Sequence, residues 1–259
     1  MEAEFQLAEF LKDYGGHILG LLALVQVWII AVWKRYVRKG RLDLYPAGTI
    51  EIGFSTFGPT VNLGGTLRAQ HDSVFVQRMG VRVIRLKDRA EHILDWRAFR
   101  PNVVTIAPNP TTTFSVAASF LVSTAVPRTY NVFFASQQFV ADYQALVQPL
   151  RDTWQGFPQQ VQQESTFGRF VAAKHGTDMH AAISHGFYWH AGEYELQLTV
   201  ETSQARQHPV QRWRFTITAK DEQDLRLNIV SIIREIVGLP VLYNFAYKPY
   251  SAVQGAGHG

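Results

Sequence analysis

The chain has 259 residues, 47% hydrophobic and 18% charged, with a formal net charge of +4 and no cysteine. That composition supports a real core and excludes global disorder, while the length suits two ordinary domains or one large one. Missing cysteine excludes disulfides, thiolate chemistry and Cys-based zinc or iron–sulfur sites, and a basic excess confined to residues 34–41 does not make a nucleic-acid surface.

Residues 1–16 form an acidic extramembrane segment, with Glu2, Glu4, Glu9 and Asp13 against Lys12. Residues 17–34 then read as a transmembrane helix. Ile18 to Trp33 carries no charge, and Gly15, Gly16 and His17 bring the stretch close to the ~20 residues that cross ~30 Å of hydrocarbon. Trp28 and Trp33 are the expected membrane-interface anchors, and Gln26 the expected helix–helix contact. Lys34, Arg35, Arg38, Lys39 and Arg41, at and beyond the end of this helix, are expected to touch anionic lipid headgroups. The charge asymmetry predicts an inner-membrane, single-pass protein, its N-terminus outside and the rest cytoplasmic. A cleaved signal peptide fits poorly, because the leader is acidic and KRYVRKGR follows where a small-x-small site is needed.

Residues 35–48 are a basic linker ending in Pro46 and Gly48. Strands are expected at 49–57, 61–69, 73–79 and 81–88, punctuated by Gly58-Pro59, His71-Asp72 and Asp88-Arg89, with more near 92–96, 103–106, 112–122 and 129–135. From Ser136, a candidate N-cap, Phe139, Val140, Tyr143, Leu146, Val147, Leu150 and Trp154 recur as one helix face, in which Pro149 is a candidate kink or end. The Gln-rich tract near 155–165 reads as a boundary between a first domain, 49–156, and a second, 157–259.

In the second half, 186–201 and 212–219 read as strands, 220–238 as a helix closed by Gly238 and Pro240, and 239–247 as a last strand. Both halves thus run strands and then a helix. The stretch WHAGEYELQLTVE resembles the aromatic-Gly-Tyr-strand pattern of immunoglobulin-like and fibronectin-like sandwiches. The resemblance implies that Tyr194 opens a late strand near a sheet corner and that Trp189 is a core aromatic; the immunoglobulin cysteines are absent. The expected fold is mainly β with helices (α+β): one transmembrane helix, then two immunoglobulin-like β-sandwich domains, each carrying a helix.

Catalytic and metal motifs are not met. His175, His180, His185 and His190 recur every five residues, which alternates faces in a strand and advances ~140° per step in a helix, so no shared ligand face results. Gly64-Gly65-Thr66 is not a phosphate loop, and there is no G-x-S-x-G. The expected function is a non-enzymatic accessory subunit, without cofactor or metal, bracing an integral membrane protein complex such as a photosynthetic or respiratory assembly. A membrane-tethered ligand-binding or sensing module is the alternative.

Overall fold

Two stretches of alternating apolar and polar residues, Val74–Arg85 and Gly192–Thr202, decide the architecture, because they pair with each other. A computed structural model describes residues 20–33, 40–100, 115–158, 163–203 and 210–253. The strands are β1 (Arg41–Ser55), β2 (Gly58–Gln70), β3 (Val74–Arg85), β4 (Glu91–Phe99), β5 (Ser115–Val116), β6 (Phe120–Val122), β7 (Arg128–Ala135), β8 (Gly192–Thr202), β9 (Gln211–Ile217), β10 (Phe245–Pro249) and β11 (Ser251–Ala252). The described helices are α1 (20–33), α2 (Gln137–Gly156), α3 (Gln163–Ala172), α4 (Lys174–His185) and α5 (Ala219–Ile236).

The eleven described strands lie in one antiparallel sheet: nine run in the order β10-β1-β2-β7-β4-β3-β8-β9-β11, with β5 paired to β4 and β6 to β3. The last two strands are consecutive in the chain, yet β10 pairs with β1 and β11 with β9. They act as a strap between the sheet's two ends, and the sheet becomes a nearly closed barrel. A ring of about eight staves has an interior just wide enough for side chains to fill, and here it is filled. Ile50, Ile52 and Phe54 of β1, Val61 and Leu63 of β2, Val81 and Val83 of β3, Leu196 and Leu198 of β8, and Phe215 of β9 point into one buried cluster. Curvature comes from irregularities in the pairing at Pro46/Ile50, Val76/Arg78 and Trp96/Ala98. The first contains Gly48 at φ +87°, a backbone conformation favouring glycine.

The pair of immunoglobulin-like sandwiches expected from the sequence is therefore corrected to a single barrel. Sandwiches and barrels share the same inward–outward alternation; strand partners tell them apart, and β3 takes β8 from the other half of the chain. The segments expected at 73–79 and 81–88 are one strand running through Gly80. Residues 41–48, expected as linker, form the start of β1, because its bulge accommodates Pro46 and Gly48. The strand expected at 103–106 lies outside the described residues.

The transmembrane expectation is corrected as well. Among the described residues no helix is long and apolar enough to cross a membrane. The single-pass, inner-membrane location with cytoplasmic domains falls with the span.

Helices α2 to α5 gather at one rim of the barrel, where β1, β3, β7 and β9 end. Ser136 caps α2 by accepting from Phe139 N–H at 3.2 Å, and the helix runs through Pro149 to Gly156. Thr218 and Asp221 form a reciprocal capping box at the start of α5, whose Leu225, Ile229, Ile232, Ile233 and Ile236 are buried. Asn228 is also fully buried there. Its Nδ2–H donates to Asn244 O and its Oδ1 accepts from Asn244 N–H, both at 2.8 Å, which pins the approach to β10. Asn228→Leu leaves both backbone groups without these partners and is expected to cost about 2 kcal/mol or more in urea denaturation.

Candidate functional site

The outer face of the barrel carries a groove of about 500 Å³ across β10, β1, β2 and β7. Strand register builds it row by row. Tyr247, Glu51, Asn62 and Phe133 stand side by side in one row; Gly64 lies beside Asn131 in the next, and Tyr45, Thr66 and Thr129 follow. Thr49 completes the polar lining. The tyrosines remain open to solvent, Tyr45 at 51% and Tyr247 at 64% of their full exposure.

Two glycines make the floor for different reasons. A Cβ on Gly65 would lie 2.5 Å from Tyr45 O and 2.6 Å from the Tyr130 hydroxyl, so the strand packing itself demands glycine. A Cβ on Gly64 would meet nothing closer than 3.7 Å, so the backbone tolerates a side chain where the groove has none.

One ion pair crosses the site. Arg100, which follows β4, binds Glu51, and the two side chains retain 24% and 11% exposure. Tyr247 also bonds to Glu51; burial first, and then this carboxylate, push its phenol above the usual range. Asn62 Oδ1 is buried without a hydrogen-bond partner.

A second polar cluster, at the helical rim, is structural. Glu222 of α5 accepts from Ala191 N–H at 2.7 Å and from Arg226, with His190 Nδ1 at 3.2 Å, tying the start of β8 to the helix. Burial alone would raise the Glu222 carboxyl; these bonds bring it below the usual range. Nearby, Arg85 clasps Asp88 through two bonds of 2.9 and 2.6 Å and holds its carboxyl down to about 2, against a usual value near 3.8. A depressed folded-state pKa makes stability present above the unfolded value and lost as pH falls between the two. His92, stacked on Tyr188 at 4.7 Å, is pushed down by burial, so protonation in the unfolded chain also disfavours folding as pH drops below about 6.5. Stability is therefore expected to decline in acid, with the Asp88 contribution disappearing between about pH 4 and pH 2. Carboxyl NMR of Asp88 checks the value, and Asp88→Asn removes that part of the pH dependence.

The residues singled out from the sequence are elsewhere. Gln26, Trp28 and Trp33 lie on exposed surfaces of α1, and Arg41 pairs with Asp43 at the start of β1. Lys34, Arg35, Arg38 and Lys39 lie outside the described residues, as does His17. His175, His180 and His185 are exposed on α4, while His190 joins the rim cluster. Among the described residues no group of three His, Asp or Glu side chains is placed to hold a metal ion. Tyr194 and Trp189 are buried where the immunoglobulin resemblance implies, and Tyr194 O–H donates to His190 O at 2.7 Å, but inside a barrel.

The groove residues Tyr45, Glu51, Asn62, Asn131 and Tyr247 were not anticipated. The one available signal was the Gly64-Gly65 pair within a strand pattern, which marks a close backbone approach or a space kept for something else. No family model, curated protein or solved structure matches this chain.

Proposed function

We propose that the protein is a non-catalytic binding module whose ligand occupies the outer groove of the barrel. The observation that carries this reading is the convergence of hydrogen-bonding side chains from several strands between two half-exposed tyrosines. A concave site of this size with a few convergent polar groups is the usual form of a small-molecule site. The ordered sheet beneath it holds the side chains in place before a ligand arrives. A ¹⁵N NMR screen of the full chain against a small-molecule fragment library tests it. Hits should move the amides of Thr49, Asn62, Gly64, Thr66 and Asn131 together; a screen that leaves these amides unmoved overturns the reading.

A second reading, an accessory subunit of a larger protein assembly, is favoured by α1. Leu21, Leu24, Val25, Trp28, Ile29, Val32 and Trp33 line a shallow apolar trough of about 520 Å³ along the helix, and apolar side chains on its other sides are exposed too. An apolar surface of this kind marks an interaction site. Packed among partner helices, α1 would also give the Gln26 amide a hydrogen-bonding neighbour. Photo-crosslinking from position 24 in the native host should capture one discrete partner; recovery of uncrosslinked monomer alone counts against this role.

A further inference from the structure

We infer that the groove takes a neutral carbohydrate, one or two sugar rings long; this deepens the binding-module reading and rests on it. The first argument is charge. Glu51 is the ionic side chain in the lining, and Arg100, outside it, pairs with and neutralises it, so a charged ligand gains no net attraction and must compete with an existing pair.

The second argument is hydrogen-bonding character. Thr49, Thr66 and Thr129 present hydroxyls, Asn62 and Asn131 present amides, and each of these groups both donates and accepts or pairs a donor with an acceptor. A sugar hydroxyl has the same dual character.

The third argument is shape. Tyr45 and Tyr247 stand on either side of the glycine floor and are open to solvent. A pyranose has an apolar C–H face and a hydroxylated rim; it can lay the first on a tyrosine and turn the second toward the threonines and asparagines. Tyrosine provides such contact area at low entropic cost, with two side-chain torsions. Gly64 leaves the space for the ring although the backbone there accepts a Cβ without a clash. The missing side chain thus serves the groove rather than the strand packing.

The test uses the full chain on an array of immobilised neutral and acidic oligosaccharides, followed by NMR titration of the best neutral glycan. Retention of neutral glycans is expected, with shifts at the Thr66 and Asn131 amides. Gly64→Val, which fills the floor, and Tyr247→Ala, which removes one wall, should each weaken that binding by about tenfold or more while the melting temperature stays near that of the parent. Gly64→Val binding as tightly as the parent overturns the inference. If no neutral glycan is retained while a non-carbohydrate fragment shifts the groove amides, the sugar assignment falls and the binding-module reading stands. If neither binds, both fall.

Discussion

Trp189→Ala is expected to lower the unfolding free energy by about 3–5 kcal/mol, the range for deleting a buried large aromatic. Trp189 is fully buried between the helical rim and the barrel. Its ring lies 5.3 Å from Tyr188, 5.7 Å from Tyr194 and 6.4 Å from Phe215, so alanine opens a cavity that three rigid neighbours cannot readily fill. Its indole N–H donates to Gly53 O at 2.7 Å, joining the segment before β8 to β1 across 136 residues of sequence. Trp189→Phe keeps most of the ring volume and loses that bond, for an intermediate cost of about 1–3 kcal/mol. Guanidinium denaturation of both variants measures the difference. Equal losses would mean that the hydrogen bond, and not the packing, supplies the effect.

A chain ending at Asn244 is expected to be the more severe variant. It removes the β10–β11 strap and leaves β1 and β9 as bare sheet edges. Also lost are the Tyr250 ring on Trp213 at 5.3 Å, the 2.9 Å bond from Gly48 N–H to the Tyr250 hydroxyl, and the ion pair between Lys248 and Asp221. Several kcal/mol spread over a domain of this size corresponds to a fall in melting temperature on the order of 10 °C. The exposed edges invite pairing between chains, so light scattering should report dimers or larger species. A monomer melting within about 2 °C of the parent would show that the strap is dispensable for closure.

The sequence was most informative where a pattern is local. The alternation in Tyr194, Leu196, Leu198 and Val200, the Ser136 cap and the apolar face of α5 were all readable within a dozen or so residues, and each stands in the structure. Strand partners were not readable, because nothing in VRVIRL shows that it will lie against YELQL more than a hundred residues on. That pairing separates one barrel from two sandwiches. Helices α3 and α4 escape pattern reading because the tract near 155–165 looks like a Gln-rich boundary and His175, His180 and His185 stand out as a histidine series, while Phe167, Phe170, Met179 and Ile183 carry the buried face. The apolar run near the N-terminus suggests a span by its composition, but among the described residues no helix is long and apolar enough to cross a membrane.

The groove was hidden for the same reason as the barrel. Tyr247 and Glu51 are far apart in the chain and become neighbours through the β10–β1 register. Asn62 and Asn131 look like ordinary outward-facing polar residues until β2 and β7 set them around Gly64.

Strap closure also means that the architecture has no intrinsic first strand. Arg41 and Ala252 both sit at the rim opposite the helices, since β1 starts there and the strap ends there. A short peptide linking those two points, with new termini cut at the tight turn over Thr56 and Phe57, keeps every ladder pairing. Such a circularly permuted chain should fold to the same ring, at a different rate, since permutation changes which contacts are local and leaves the set of contacts intact.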